Sequence, residues 1–354
     1  MARALDVKPE ATEERDEFRD RIASQSVTPL WEVLKDLITH EPKPQAQPHV
    51  WNYTEVRPNV MEAGGLITPE EAERRVLVLE NPGLKGKSSA TETLFAGLQL
   101  ILPGEIAPCH RHSPCALRFI VEGDGAYTAI NGEKAYMSPG DLILTPSLVW
   151  HDHGNEGDKP VVWLDGLDVP LIKFMGPVFV EFHDEGNMHP EGRPAKDNLA
   201  RYGSNMLPMG ATFEDKNSPV FHYPYVKTRE TLVNLAQSGE IDPCHGIKME
   251  YINPANGGPV MPTVSSYMQY MPSKFTSETY QTTAGWVYCP VEGTGRTIVG
   301  DEVLEWGRQD VFVVPGWMPH HHETDDEAFL FSFSDRRLQE NLGLFRERRG
   351  NVTH

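Results

Sequence analysis

Cysteine is scarce in this chain of 354 residues. The four thiols, at positions 109, 115, 244 and 289, show no CxxC spacing. That excludes a disulfide framework and points to a reducing compartment. Basic residues are also few, 32 Lys and Arg against 51 Asp and Glu, for a formal net charge of −19. Nucleic-acid and anionic-membrane surfaces need clustered positive charge, so neither is expected as a partner. No apolar run approaches the roughly 20 residues of a membrane span, and the first residues lack the apolar stretch of a signal peptide. A cytoplasmic protein is the expectation.

What the chain has in quantity is glycine (30) and proline (29), punctuating short β-rich runs. That pattern is typical of all-β barrels and sandwiches. Helical spacing is found at residues 12–24, 29–40, 69–75, 228–236 and 335–348. In the second of these, Trp31, Val33, Leu34, Leu37 and Ile38 recur at helical intervals. Two strand-rich blocks, about 93–170 and 262–334, are related by an internal repeat. VEGDG (121–125) matches VEGTG (291–295), and DLILTPSLVWH (141–151) matches DVFVVPGWMPH (310–320), at offsets of 170 and 169 residues. A duplication of so long a period means two copies of one β module. The expected fold is mainly β. Its parts are an N-terminal helical arm (1–90), a first barrel (91–170), a connecting segment (171–261), a second barrel (262–335), and a C-terminal helix and tail (336–354).

The chemistry lies in the first block. Gly104 precedes His110-x-His112, and Gly123, Gly140, Pro146, His151 and Asn155 follow. Residues two apart on a strand share a face, so His110 and His112 point the same way. Asn131-Gly132 is a strong hairpin-turn signal. It returns the chain so that His151, on a later strand, can meet the pair inside the barrel. Three imidazoles with other coordination positions open are what a catalytic metal needs. Imidazole suits Fe, Zn, Cu and Ni alike, so the spacing alone does not choose among them. Arg118 lies six residues after His112, an even number, and is expected inside the barrel. An inward arginine calls for an anion. The second block lacks the pattern. Tyr280 and Thr282 occupy the HxH positions, and three consecutive strand residues, His320, His321 and His322, cannot all face inward. It reads as a barrel without metal that serves packing or association.

The spacing resembles the two motifs of the cupin superfamily, and the duplication resembles a bicupin of two double-stranded β-helix barrels. The Glu ligand usual three or four residues after HxH is missing, with Ala116 or Leu117 in its place. The stretch from His110 to Asn155, HRHSPCALRFIVEGDGAYTAINGEKAYMSPGDLILTPSLVWHDHGN, resembles the gentisate 1,2-dioxygenase family, which includes salicylate and 1-hydroxy-2-naphthoate dioxygenases. The resemblance continues through PLWEVL (29–34), PHVWNY (48–53), AERRVLVLENPGL (72–84), NPANGGPVMPT (253–263) and FSFSD (331–335).

This resemblance implies non-haem Fe(II), O2 as cosubstrate, and cleavage between the carboxyl-bearing and hydroxyl-bearing ring carbons. Gentisate would give maleylpyruvate, within aromatic hydrocarbon catabolism. It also implies a homotetramer. His110, His112 and His151 match the iron ligands. His153 matches a histidine that hydrogen-bonds the ring hydroxyl or oxygen. Arg118 matches the arginine that grips the substrate carboxylate, Arg74 another pocket arginine, and Asp165 an acidic residue beside the pocket. Phe95 stands where relatives carry Trp or Tyr. With Gly97 it suggests room for a fused ring, which keeps 1-hydroxy-2-naphthoate and salicylate as alternative substrates. A non-enzymatic small-molecule-binding cupin is the reading of another class. It predicts loss of the histidine triad or an added basic DNA-binding helix-turn-helix, and the sequence has neither feature.

Overall fold

The computed structural model describes residues 12–183, 192–211 and 216–350. Among the described residues, no helix is long and apolar enough to cross a membrane. The chain divides into two compact units after Lys43. The first holds the two expected helices, Glu13–Ala23 and Leu30–Leu37. Thr12 caps the former by accepting from the Arg15 amide. Phe18 stacks on Trp31, and Arg19 pairs with Glu32 at 2.8 Å. Leu30, Trp31, Leu37 and Ile38 remain exposed.

The second unit is two β-barrels of like construction, each a six-stranded and a five-stranded sheet. In the first barrel the larger sheet runs His222–Tyr223, Leu142–Thr145, Ala116–Glu122, Val161–Leu167, Phe95–Ile101, Val76–Val78. In the second it runs His49–Trp51, Val311–Val314, Trp286–Glu292, Ala328–Ser334, Ser265–Met271, Ile247–Glu250. The outermost strands come from outside the repeated blocks. Residues 44–90 supply one edge strand to each barrel, and so does the connecting segment.

The two six-stranded sheets turn their outer faces toward each other and form the main core between them. Phe119 of the first barrel lies flat on Phe331 of the second, with centroids 4.0 Å apart and planes 2° from parallel. Gly166 sits under this layer. A Cβ there would come within 2.8 Å of the Phe333 ring, so glycine permits the close approach. Four buried or part-buried carboxylates join the barrels in two matching pairs. Asp310 accepts from the Tyr53 amide at 2.7 Å, and Asp141 accepts from the Tyr225 amide at 2.8 Å. Those tyrosines open the helices Tyr53–Leu66 and Tyr225–Ala236. Each helix also reaches the opposite barrel, through Tyr53 and Arg57 to Glu122 and through Tyr225 and Arg229 to Glu292. Likewise Asp168 takes the Cys115 amide and the Thr263 hydroxyl, while Asp335 takes the Gly285 amide and the Thr93 hydroxyl. Asp168 and Asp335 therefore each satisfy donors from both barrels, while Asp310 and Asp141 each hold the start of a helix that reaches the other barrel.

Several elements differ from the sequence reading, among them the short helices Val169–Met175 and Asp197–Tyr202. The helix Tyr53–Leu66 carries Pro58 inside it and two glycines near its end, which hid its periodicity. The C-terminal helix is short, Arg336–Asn341. Gly343, at φ 70°, reverses the chain, and Glu347–Arg349 returns as a strand beside Tyr280–Thr282. Leu342 and Leu344 are consequently exposed rather than on a helix face. Residues 351–354 of the expected tail lie outside the described residues.

Truncating Phe331 to Ala should lower stability by about 3–5 kcal/mol, because the stacked layer cannot collapse onto the gap. Denaturant unfolding of wild type and variant measures this. A loss under about 1 kcal/mol would show that the interface between barrels is not the main core.

Candidate metal centre

Strand Ile106–His112 carries His110 and His112, and strand His151–Asn155 carries His151 and His153. The strands pair antiparallel with His110 opposite His151. Residues opposite each other share a face, so three imidazoles converge. The His110 and His151 centroids are 4.2 Å apart, and those of His112 and His151 are 4.9 Å apart.

The outer nitrogen of each ring is committed. His110 Nδ1 donates to the Pro108 carbonyl at 2.7 Å, His112 Nδ1 to that of Pro114 at 2.7 Å, and His151 Nδ1 to that of Val149 at 2.9 Å. A carbonyl oxygen only accepts, so Nδ1 carries the proton and Nε2 presents a lone pair. All three Nε2 atoms are buried without a hydrogen-bond partner. One ring nitrogen from each histidine lies within 4.8 Å of the other two. A buried acceptor left unpaired costs about 1–3 kcal/mol. Three of them aimed at one point fit a divalent cation. Burial, and then the charge of Arg74, pushes His110 down to about 3 and His112 down to about 4. Burial likewise drives His151 well below the ordinary imidazole range. The rings are therefore held neutral, the form that ligates metals. Among the described residues this is the one cluster of three such ligands.

His153 lies on the same face, its ring 5.6 Å from His151. Its Nδ1 shares a hydrogen bond with Thr128 Oγ1 at 2.9 Å, and its Nε2 has no partner. Arg118 is 2% exposed, which places it inside the barrel and not at a surface strand end. Its guanidinium donates to Thr145 Oγ1 and lies 3.6 Å from Asp165 Oδ1. Asp165 sits directly opposite Arg118 in register and accepts from Trp163 Nε1 at 3.0 Å. Burial pushes the Asp165 carboxyl up to about 6 against the pull of Arg118 and Arg74.

Arg74 reaches the centre by a sharp local turn. Thr68 and Glu71 form a capping box on the short helix Pro69–Ala72. Glu73 then adopts φ 55°, and the Arg74 amide donates back to Ala72 at 2.5 Å. Strain of this kind concentrates at functional sites. Arg75 turns the other way and pairs with Glu105. Arg74 is half-buried, and its charge acts on His110, His112 and Asp165. The structure thus gathers His110, His112, His151, His153, Arg118, Asp165 and Arg74.

Gly97 lies opposite Asp165, on the side of the strand that also carries Phe95. The space next to the Gly97 Cα is lined by Val76 and the Phe95 ring. A Cβ on Gly97 would meet Val76 Cγ1 at 2.5 Å and the Phe95 ring at 3.1 Å, so only glycine fits at this position. Gln99 was missed by the sequence reading. It is buried opposite Trp163 with its Oε1 unpartnered. Its parity with Phe95 and Gly97 along the strand was the available signal. Cys109 and Cys115 are buried and outside the ligand cluster. In the second barrel, Tyr280 and Thr282 occupy the HxH positions. His320 and His322 are buried, while His321 between them is not.

A duplicated antiparallel barrel with a three-histidine cluster on two neighbouring strands defines a bicupin with one candidate metal centre among the described residues, and the model of the cupin domain matches residues 97–167. The chain is 50% identical over 342 residues to gentisate 1,2 dioxygenase 1 of Aquipseudomonas alcaligenes, covering 97% of this chain and 98% of that one. It is 37% identical to 5-aminosalicylate 1,2-dioxygenase of a Comamonas species, covering 94% and 89%. The crystal structure of salicylate 1,2-dioxygenase from Pseudoaminobacter salicylatoxidans with gentisate superposes with a TM-score of 0.92 at 32% identity, covering 98% and 97%. The chain belongs to the gentisate 1,2-dioxygenase family. It is an oxidoreductase, a ring-cleaving dioxygenase.

Metal analysis of purified variants tests the centre. His112→Ala should lose the bound metal, since two imidazoles are left to hold it, whereas His320→Ala, at a buried position of the second barrel, should keep the wild-type content. Loss of about half the metal in His320→Ala would place a second metal in the second barrel.

Proposed function

We propose that this chain opens gentisate with O2 between the carboxyl-bearing and hydroxyl-bearing carbons, giving maleylpyruvate, with Fe(II) on His110, His112 and His151. The observation that carries the reading is the cluster of three neutral, unpartnered ring nitrogens beside a buried arginine. Fe(II) in such a site supplies a chelation point for a carboxylate and its neighbouring phenolate, together with the redox chemistry that lets an organic substrate combine with O2. Three neutral ligands leave its +2 charge uncompensated, which favours an anionic chelate over a neutral one.

The residues around the cluster then have separate tasks. Arg118 binds the substrate carboxylate through the N–H groups that Thr145 and Asp165 leave free, and its planar fork sets the orientation. Asp165 positions Arg118, with Trp163 fixing the carboxylate in turn. Arg74 adds a second positive charge on the substrate side. His153 exchanges a proton with the ring hydroxyl at Nε2, while Thr128 holds its other nitrogen. Phe95 and Gly97 form the apolar wall that excludes water. Metal binding belongs to the segment 91–170, and the second barrel, 262–335, supports the first without a metal of its own. The N-terminal arm, 1–90, joins subunits into a homotetramer. The exposed Leu30, Trp31, Leu37 and Ile38 support that role. A cytoplasmic location accords with four buried cysteines that form no disulfide.

Gentisate is favoured because its second hydroxyl, para to the first, pushes electrons into the ring and eases its oxidation. Salicylate lacks that push.

Arg118→Ala should retain metal and raise KM by about 10- to 150-fold, the worth of a charge-assisted hydrogen bond of roughly 1.5–3 kcal/mol. Lysine at this position should restore binding only in part. An unchanged KM would remove Arg118 from substrate binding. On one iron-loaded preparation, kcat/KM should be highest for gentisate. A higher value for salicylate or the naphthoate would overturn the substrate assignment and leave the ring-cleaving chemistry in place.

A further inference from the structure

We propose that the interior of the second barrel is a binding site for a small monoanion, held by Lys248. The duplication lets the two interiors be compared position by position. In the first barrel, Gly97, Asp165 and Arg118 stand side by side across three strands. The matching row in the second barrel is Tyr267, Ser332 and Tyr288. The arginine and its carboxylate are thus both gone. On the next strand out, Val76 lies opposite Gln99 in the first barrel, and Lys248 lies opposite Gln269 in the second. A cation has been kept inside the second barrel at a new position, without an internal counter-ion.

Three rings surround the Lys248 ammonium. Its Nζ is 3.9 Å from the Trp286 centroid, 5.1 Å from that of Tyr288 and 5.4 Å from that of Tyr267. Such a cage favours the charged form, against burial and the charge of Arg336, which push Lys248 well below its ordinary value, so that a bound anion would be needed to hold the proton on it. No carboxylate among the described residues pairs with it within 4 Å, and it donates to Tyr288 Oη at 3.5 Å. Its positive field reaches His245, His320 and His322 and helps keep all three neutral.

The walls supply further donors. Trp286 Nε1, Gln269 Nε2 and Ser332 Oγ are buried without partners, and the side chains carrying them are at most 1% exposed. An indole N–H can only donate. Buried unpaired donors beside an uncompensated cation need an acceptor carrying negative charge. A halide, or the carboxylate of a small acid such as formate, meets that need. Lys248 is half-buried and lies on Ile247–Glu250, the edge strand of its sheet. Nothing in this site involves His110, His112 or His151, so its occupancy is independent of ring cleavage.

The test uses the full-length protein without substrate. Bromide is titrated against sulfate at constant ionic strength while thermal unfolding is followed, and a bromide-soaked crystal is examined for anomalous scattering. Formate, in a parallel titration, distinguishes a carboxylate ligand from a halide. Wild type should show a saturable rise in Tm with bromide or formate, and bromide should lie within hydrogen-bond reach of Lys248 Nζ. Lys248→Met fills the same volume without charge and should still fold. It should need at least about tenfold more anion for the same response. Trp286→Phe, which removes one donor, should fall between. An equal response in Lys248→Met and wild type, or a second-barrel interior holding only water in bromide, would overturn the proposal.

Discussion

The bond from each ligand histidine to a backbone carbonyl two residues away sets the rest of this site. His110 bonds to Pro108, His112 to Pro114 and His151 to Val149. Each fixes a tautomer and a ring plane with main-chain atoms, so no further side chain is spent on second partners. Two of the three carbonyls belong to prolines, whose backbone nitrogens have no N–H and whose φ is fixed. The centre is therefore rigid before any metal arrives, and its three lone pairs remain unsatisfied until one does. Metal affinity and the neutrality of the imidazoles share this cause, since the same burial that keeps the rings unprotonated exposes their nitrogens only to each other.

The second barrel matters because the ligand barrel does not end at its own sheets. Its large sheet is covered on the outside by the other barrel, through the Phe119–Phe331 stack and the shared carboxylates. Asp168 illustrates the link. It follows the strand that carries Asp165, and it binds the Cys115 amide, one residue before the strand that carries Arg118. The Thr263 hydroxyl of the second barrel completes it. Arg118 and Asp165 are thus tied at their strand ends to the duplicate module. The duplicate module shares the frame, and its interior holds aromatic rings around Lys248.

Much of this was legible in the sequence because it depends on parity and repetition. Even spacing from His112 placed Arg118 inside, and the VEGDG/VEGTG repeat revealed two modules. Other features depend on contacts that no local pattern encodes. The helix Tyr53–Leu66 is stabilised by Asp310 at its start and Glu122 on its flank, both far away in the chain, so Pro58 and its glycines masked it. The C-terminal strand forms because Tyr280–Thr282 offers an edge, information absent from Glu347–Arg349 itself. Gly97 looked like open space. Only the fold shows that Val76, from a strand outside the repeat, lines it. The placement of Arg74 likewise rests on the conformation of Glu73, which its sequence does not announce.

The most direct measurement of the central claim is O2 consumption by iron-loaded protein mixed with gentisate under anaerobic conditions and then opened to air. The account predicts one O2 consumed per gentisate, with a ring-opened product absorbing in the near ultraviolet that appears only when iron, gentisate and air are all present. Intact gentisate and no O2 uptake, in a preparation carrying one iron per chain on the three histidines, would contradict it.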